Sequence, residues 1–503
     1  MGGPVQIPFK SFIQLKPNDA TALYLQIVFE FIKAIQMGLL PEGTKLPGTR
    51  QLCKLIGINR NTLIKAFEDL ESQGWIEILP NKGTFILSKP TKASRAEKPA
   101  LPQQKAESTC SGFSFKRSAI LENPAEFSAL PYHFNDGQPD GRLLPTDSVG
   151  RLYASQLKKL NSTNSEAQQA ALHQNFKTQL SNYLNLTRGL RIATNQLLST
   201  NSHEAALYLI IKLLIAPGDN VIVASPGYYA SNMVLADAGA QIIPIPIDKN
   251  GISTKHLKNI CKEQSIRMLY LTSNYHYPTN TPLSAKRRME LLQLSEEYGF
   301  IILEDDYDFD FNYDNNPVLP LAALDYNDKV VYCGSFGKSL PAGFGLGFVT
   351  GSAAFITELA KHKNILESGN DHIKELTLTE WIAEGDVHRL SKKNKKHYKE
   401  RRDYFITLLE KHLKRHIRYD VPAQGLAIWV EWLDSFNLIA FQKECAVKGL
   451  FLPKTILYQT KTLTGTRLGF GHFSVEEMEE VVSILKKSLD ILVQGKNSSL
   501  NTP

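Results

Sequence analysis

Lys338 is the residue of this chain whose type and position most directly suggest chemistry. It lies in the stretch YCGSFGKSLPAGFG (332–345), just after the apolar run 330–332 and three residues after Ser335. The primary amine of a lysine at a strand end can form a Schiff base with a carbonyl compound. A lone lysine in a turn is more often a surface charge, so the interpretation depends on which other groups the chain brings there.

Polar residues also stand at the ends of other apolar runs. Asp305, Asp306 and Tyr307 close GFIILEDDY, Tyr228 follows VIVASPG, and the segment 274–280 follows LYLTS. In parallel sheets, ligands bind outside the carboxyl ends of the strands. The sequence therefore predicts one site that gathers these residues.

The predicted set meets the needs of a phosphorylated pyridine aldehyde. A carboxylate can keep a pyridine nitrogen protonated, a tyrosine can bond a phenolic oxygen, and Ser335 with the helix start after STNSHE can hold phosphate. These are the needs of pyridoxal 5′-phosphate, PLP. Paired aspartates after a strand are as often metal ligands, but no histidine or third carboxylate stands at a suitable spacing, so no metal site is predicted.

The elements that must position this site form an α/β body. Apolar runs that alternate with helical segments predict a mainly parallel sheet with helices on both faces. The predicted strands are 220–225, 242–247, 267–273, 299–305 and 329–335. The most apolar run, 205–216, is too short for a membrane span and contains Lys212, so it predicts a buried helix.

A second pattern precedes the body. LYLQIVFEFIKAIQMGLL has the apolar period of a helix that Pro41 should stop, TRQLCKLIG is a short helix closed by Gly57, and a third helix begins at Asn59. The segment 75–87 alternates around a Pro-Asn-Lys-Gly turn, which predicts a hairpin. Three helices and a hairpin predict a winged helix-turn-helix; the alternative is a small interaction domain with a solvated polar face.

In the winged helix, the N-terminal end of the third helix is expected to face the major groove. The side chains expected to read bases there are Asn59, Arg60, Asn61, Thr62 and Lys65. Arginine can fork onto guanine and asparagine can pair with adenine. Arg50 and Lys82 are expected to hold phosphates.

Composition sets wider bounds. The net charge of +7 permits an anionic partner, and five scattered cysteines without a Cys-x-x-Cys spacing predict neither a zinc site nor a disulfide framework. A reduced, cytoplasmic setting fits best. The stretch 88–112 is rich in Pro, Ser, Lys and Gln, a composition typical of a linker.

Residues 23–86 resemble the DNA-binding domain of the GntR family of bacterial regulators. The motifs that carry the resemblance are LPGTRQLCKLIGINRNTL and the wing NKGTF. The resemblance implies DNA contacts at Arg50, at the turn residues 59–62, and at Lys82 and Gly83. Ile64 stands where some members have another arginine, and Lys65 is the neighbouring replacement.

The body resembles fold-type I aminotransferases, and head and body in this order resemble the MocR subfamily of GntR regulators. The motifs are FNDGQPDGRLLP, IAPGDNVIVASPGYY, YPTN, ILEDDYDFDF, GSFGKS and TRLGFG. The resemblance implies a Schiff base on Lys338, a pyridine-nitrogen partner in Asp305, a ring-oxygen donor in Tyr307, and a substrate-carboxylate anchor in Arg467. The other cofactor contacts that it implies are Tyr228, Tyr277, Asn201, Ser202 and Ser335.

Several positions depart from the family pattern. Gly345 replaces a phosphate-binding arginine, Asn201 replaces a glycine, and Tyr277 stands where aminotransferases keep an asparagine. A lost charge-assisted phosphate contact costs about 1.5–3 kcal/mol, roughly ten- to a hundredfold in affinity. A tyrosine-glycine loop is also replaced, by NSEAQQAALHQNF (164–176). We therefore expect weakened PLP binding and little turnover.

The expected architecture is a winged-helix domain (12–88), a linker (89–130) and an aminotransferase-like domain (131–495) with a smaller C-terminal α+β subdomain. The resemblance implies a cytoplasmic homodimer, with heads swapped onto the partner's body, that binds operator DNA and no membrane. One hypothesis is a regulator that senses PLP or an amino-group metabolite. The alternatives are a working aminotransferase with an accessory head and a regulator that uses its body only to dimerise.

Overall fold

A computed structural model describes most of the chain. The described residues are 9, 13, 15, 21–80, 82–87, 113–115, 118–122, 124, 126–160, 165–272, 274–313, 318–336, 338, 340, 344–367 and 371–499, with side chains to 493. They fall into two compact units, 1–115 and 116–503. The predicted linker core 88–112 and the hairpin residue Asn81 lie outside the described residues, and the predicted domain bounds remain predictions.

The first unit contains three helices followed by a β-hairpin, in the predicted order. The elements are α1 (Leu23–Gln36), α2 (Thr49–Ile56), α3 (Arg60–Ser72), β1 (Ile76–Leu79) and β2 (Gly83–Ile86). The predicted apolar faces of α1 and α3 meet in its core, where the rings of Phe31 and Phe67 pack edge to face at 5.7 Å. The strands pair antiparallel.

Local chemistry sets the ends of these helices. Gly57 has a φ of +79° and ends α2, and the Asn59 side chain caps α3 by accepting a hydrogen bond from the Asn61 amide at 3.1 Å, both as predicted. The predicted stop of α1 at Pro41 is wrong. The helix ends at Gln36 because Gly38, with a φ of +73°, already turns the chain.

The second unit is an α/β body, which confirms the predicted fold class. Its helices are α4 (Thr146–Leu160), α5 (Glu166–Arg188), α6 (His203–Leu214), α7 (Tyr229–Asp237), α8 (Thr254–Glu263), α9 (Ala285–Tyr298), α10 (Ala353–Leu366), α11 (His372–Ala383), α12 (Asp386–Leu413), α13 (Leu438–Val447) and α14 (Val475–Ser499). Its strands are β3 (Tyr132–His133), β4 (Leu197–Thr200), β5 (Asn220–Ser225), β6 (Gln241–Asp248), β7 (Gly251–Ile252), β8 (Met268–Thr272), β9 (Ile301–Asp306), β10 (Val330–Ser335), β11 (Gly347–Thr350), β12 (Ile417–Arg418), β13 (Ala427–Trp432), β14 (Leu450–Phe451), β15 (Leu457–Gln459) and β16 (Thr464–Gly469).

Eight strands form the main sheet in the order β4-β11-β10-β9-β8-β5-β6-β7. The five predicted strands are β5, β6, β8, β9 and β10, and all pair in parallel. Their carboxyl ends therefore share one edge, where the predicted site residues stand. Sequence periodicity missed β4 and β11 because all four residues of each strand are buried, so neither strand alternates between a buried and an exposed face. They pair antiparallel and extend the sheet beyond β10.

A smaller sheet, ordered β12-β13-β16-β15, forms the C-terminal α+β part. It packs with α12 and α14 in a separate apolar core. Strand β16 carries Arg467, and β13 pairs with it so that Trp429 lies opposite Arg467. Within the described residues, no helix combines the length and apolar character that a membrane crossing requires.

Candidate functional site

The carboxyl ends of β8, β9 and β10 open into a cavity of about 250 Å³. This volume is slightly below the roughly 300 Å³ at which ordinary ligand pockets begin, so it suits a compact ligand. The described residues that line it are Asp136, Gln138, Ser202, His203, Glu204, Tyr228, Thr272, Tyr277, Asp305, Tyr307, Ser335, Lys338, Gly345 and Leu346. Every predicted cofactor residue except Asn201 is among them; Asn201 directly precedes Ser202.

Lys338 lies in the cavity beside a buried acid that sequence reasoning missed. Its Nζ donates a hydrogen bond to Oδ1 of Asp308 at 2.7 Å and lies 5.2 Å from the ring centre of Tyr307. Burial raises the pKa of Asp308, although Lys338 and Arg467 oppose the increase. The lysine is thus half-buried and held by an ion pair rather than solvated as a surface charge.

Asp305 is almost completely buried at the end of β9. Its Oδ2 accepts a hydrogen bond from the Tyr270 hydroxyl at 2.7 Å. Its Oδ1 has no hydrogen-bond partner among the described residues, although Nε2 of His203 lies 2.9 Å away without hydrogen-bond alignment. Burial opposes protonation of His203, but the contact with Asp305 together with the charges of Glu204 and Asp306 raises its pKa. A buried carboxylate oxygen without a bonded donor is suited to receive one from a ligand.

Three tyrosines form an aromatic wall beside the lysine. The ring of Tyr277 packs edge-on against Tyr228 at 4.9 Å and against Tyr307 at 5.7 Å. Burial raises the pKa of all three hydroxyls, so they remain protonated donors at neutral pH. Such a wall can stack a planar ring and donate hydrogen bonds to it.

Arg467 is fully buried and is already engaged by the chain itself. Its Nε donates to Oδ1 of Asp136 at 2.7 Å, and its Nη1 donates to the carbonyl of Pro278 at 2.9 Å and to the side chain of Asn280. Its Nη2 lies 3.8 Å from Oδ2 of Asp308. The predicted substrate-carboxylate anchor is therefore covered by a protein carboxylate. Asp136 was missed, although FNDGQPDGRLLP contains it.

The expected phosphate end of the cavity has hydroxyl groups but few positive charges. Ser202 caps α6 by accepting a hydrogen bond from the Ala205 amide at 3.1 Å, and Ser335 ends β10. Among the described lining residues, Lys338 is the only lysine or arginine, whereas Glu204 adds a carboxylate. The helix start can still attract an anion. The side chains here would hold a phosphate mainly through neutral donors.

The fold brings together three side chains that could bind a metal and whose spacing along the sequence did not predict such a cluster. Ligand atoms of His203, Asp305 and Cys333 lie within 4.8 Å of one another. Burial raises the pKa of the Cys333 thiol well above its usual range, so the thiol stays protonated.

In the first unit, the polar end of α3 is exposed. Arg60 and Asn61 are exposed and Thr62 is half-buried. Lys65 does not stand free: its Nζ lies 4.1 Å from the ring centre of Tyr24 on α1. Asn59 is exposed as well, although its side chain is used as the cap.

The wing and α2 of the first unit add further cations. Arg50 and Lys82 are exposed. Gly83 has a φ of +118°, and a Cβ there would lie 2.9 Å from Cε of Lys45. Sequence reasoning missed Lys45, whose backbone forms a bridge with Phe85 on β2 and so belongs to the wing.

Comparison with known proteins finds two family matches. The model for class I and II aminotransferases matches residues 135–447, and the model for bacterial regulatory proteins of the gntR family matches residues 23–86. These matches confirm both resemblances drawn from the sequence.

Relatives with both parts are similar over almost the whole chain. The uncharacterized HTH-type transcriptional regulator YdfD of Bacillus subtilis is 26% identical over 93% of this chain and 97% of its own length. The probable rhizopine catabolism regulatory protein MocR of Rhizobium meliloti is 24% identical over 94% of each chain. A crystal structure of a kynurenine aminotransferase from Pyrococcus horikoshii is 22% identical with a TM-score of 0.65, and it covers 72% of this chain and 91% of its own. This last likeness shows the fold.

Proposed function

This chain belongs to the class I and II aminotransferase family and has a gntR-family region in front, and we propose that it is a DNA-binding transcriptional regulator whose body binds PLP. The body senses PLP itself or a metabolite with an amino group. The observation that carries the proposal is the exposed Arg60–Asn61 end of α3, a surface suited to contacts with DNA bases. The second unit of the same chain contains a cavity like that of an enzyme. Two relatives that match almost the whole chain are named as a transcriptional regulator and a regulatory protein, which supports a regulatory function over an enzymatic one.

The cavity fits the ring of PLP better than its phosphate. The unbonded Oδ1 of Asp305 would receive the pyridine N–H, the wall of Tyr228 and Tyr277 would stack the ring, and the amine of Lys338 would attach the aldehyde. Ser202 and Ser335 would hold the phosphate without an arginine, which Gly345 fails to supply. When bound, PLP supplies a carbonyl that exchanges between amines and withdraws electrons from them.

The same residues also support a second candidate function, that of a working aminotransferase. Lys338, Asp305 and Tyr307 stand together in the cavity. Against it, Nε of Arg467, the predicted anchor of a substrate carboxylate, already donates a hydrogen bond to Asp136. We expect steady transamination between amino acids and keto acids to be absent or far below the roughly 1–10³ per second of ordinary enzymes. Turnover in that range, lost in Lys338→Ala, would favour the enzyme.

The proposed regulator is a cytoplasmic homodimer that acts on double-stranded operator DNA, with each head placed on the partner's body. The linker composition of 88–112, rich in Pro, Ser, Lys and Gln, suits such an exchange. Cross-linking or light scattering of the full chain at micromolar concentration measures the assembly directly. A monomer that still binds its operator tightly would contradict it.

A paired binding experiment tests the regulator. Full-length protein is titrated onto DNA that includes the region upstream of its own gene, with and without PLP. We expect PLP or an amine to change affinity or footprint for the wild type, whereas Lys338→Ala keeps DNA binding but loses the response. Arg415→Ala, an exposed arginine outside the first unit, serves as the control for charge loss. Absence of sequence-specific DNA binding would contradict the proposed regulatory function.

A further inference from the structure

Asp136 occupies the position where a ligand's carboxylate would otherwise meet Arg467. Oδ1 of Asp136 accepts a hydrogen bond from Nε of Arg467, and its Oδ2 accepts one from the Tyr277 hydroxyl, both at 2.7 Å. Both oxygens of the Asp136 carboxylate are therefore bound, one of them by Arg467, whose Nη2 has no hydrogen-bond partner among the described residues. Arg467 has no exposed side-chain area, whereas Asp136 keeps 28% of its own exposed and lines the cavity.

The backbone holds Asp136 firmly in this place. The carbonyl of Asn135 accepts a hydrogen bond from the amide of Gly469, two residues beyond Arg467 on β16. A side chain at Gly469 would collide with Asn135 and would lie 2.7 Å from the Gly137 amide. The segment 135–137 thus runs against the same strand that carries Arg467, and that approach requires a glycine at 469.

Gly137 fixes the other side of the segment. Its φ is +74°, and a Cβ there would lie 3.2 Å from the Cβ of Ala427 on β13. The left-handed backbone and the close approach both require glycine. The backbone of Asp136 is therefore held between two glycine-dependent contacts, which place its side chain beside Arg467.

The charges around the guanidinium leave little place for another anion. Arg467 already faces the carboxylates of Asp136 and Asp308. Glu204 and Asp305 also line the cavity, and its only described lysine, Lys338, is paired with Asp308. A ligand carboxylate would have to displace Asp136 and would meet several like charges, whereas a cationic amine would be attracted.

We propose that the ligand sensed in this cavity is a primary amine without a carboxylate beside its amino group, and that Asp136 sets this selectivity. This proposal rests on the function proposed above and narrows its ligand class. It predicts discrimination between an amino acid and the amine left when its carboxylate is removed. Asp136 acts as a permanent internal carboxylate that takes the place of the ligand's own.

Matched ligand pairs test the proposal. Full-length protein is titrated with tyramine and tyrosine, and with histamine and histidine, by calorimetry in the presence and absence of PLP. We expect at least one amine to bind the wild type about tenfold or more tightly than its amino acid. Asp136→Asn should narrow or reverse that ratio because Arg467 then meets a neutral partner, and Asp136→Ser is a second variant in case the first folds poorly.

Asp328→Asn is the matched control, since this exposed residue stands before β10, at the end of the strand remote from the cavity, and has a φ of 54° that asparagine also accepts. Equal or tighter binding of the amino acids by the wild type, no binding of any of the four compounds, or unchanged ratios in both Asp136 variants would overturn the proposal. Failure of PLP to bind, seen in its visible absorption, would instead count against the cofactor assignment, because the amine preference is also measured without PLP.

Discussion

Nζ of Lys338 lies 2.7 Å from Oδ1 of Asp308, a carboxylate with only 2% of its side chain exposed. The acid has few other ways to offset its burial: its second oxygen has no hydrogen-bond partner among the described residues. The pair therefore holds Nζ of Lys338 on Asp308, whereas attachment of an aldehyde requires this nitrogen to leave the carboxylate.

This ion pair predicts the effect of neutralising Asp308. In Asp308→Asn the ion pair that holds Nζ of Lys338 is lost, so PLP should attach to Lys338 several-fold faster. Borohydride trapping followed by mass spectrometry of the peptide measures the rate and the position. Lys338→Ala should give no adduct at this peptide, and an unchanged or slower rate in Asp308→Asn would contradict the role given to the pair.

The phosphate end of the cavity predicts a gain of affinity. Gly345 lines the cavity at the position where the family pattern has an arginine. Gly345→Arg should tighten PLP binding by about ten- to a hundredfold, because it restores a charge-assisted contact. Gly345→Ala controls for the loss of glycine, and dialysis followed by absorption spectroscopy reads the affinity. Equal retention of PLP by all three proteins would show that the missing arginine does not limit binding.

The sequence predicted the elements, and also which strand-end residues meet in the cavity, because these depend on local patterns. The five parallel strands are apolar runs, and Lys338, Asp305 and Tyr307 directly follow or end such runs. The strands β4 and β11 were missed because both are buried along their whole length and do not alternate, whereas the equally short hairpin strands β1 and β2 lie on either side of a predicted turn.

What the sequence could not supply were pairings between distant segments. Asp136 and Arg467 are 331 positions apart and meet only because β16 runs beside the segment 135–137. The same holds for His203 and Asp305, which approach through the packing of α6 against the sheet. Only the motif FNDGQPDGRLLP, which the resemblance had already marked, signalled that Asp136 lies near a ligand.

The first unit predicts two distinguishable effects on DNA binding. Arg60→Ala should weaken specific binding by about 1–3 kcal/mol and relax base preference, because an arginine at this end of α3 can fork onto a base edge. Lys82→Ala should weaken binding to all sequences and lower the salt dependence by about one counterion. Anisotropy titrations over a range of salt concentrations separate the two. An unchanged operator affinity in Arg60→Ala would show that Arg60 at the start of α3 does not take part in DNA recognition.

His276 predicts a pH dependence of folding. It is buried beside the site, its Nδ1 lies 2.9 Å from the Thr279 hydroxyl, and burial together with the charge of Arg467 lowers its pKa to about 3. The unfolded chain binds a proton at this residue near pH 6.5 while the folded chain does not. The stability tied to the neutral ring is therefore complete above pH 6.5 and is lost progressively as the pH falls toward 3, at no more than about 1.4 kcal/mol per pH unit.

In His276→Gln this loss should disappear, so the difference in unfolding free energy between wild type and variant should shrink from pH 7 to pH 4. Urea unfolding at several pH values measures it, with the exposed His388→Gln as the control. A difference that stays constant over this range would show that His276 takes up its proton in the folded protein as readily as in the unfolded chain.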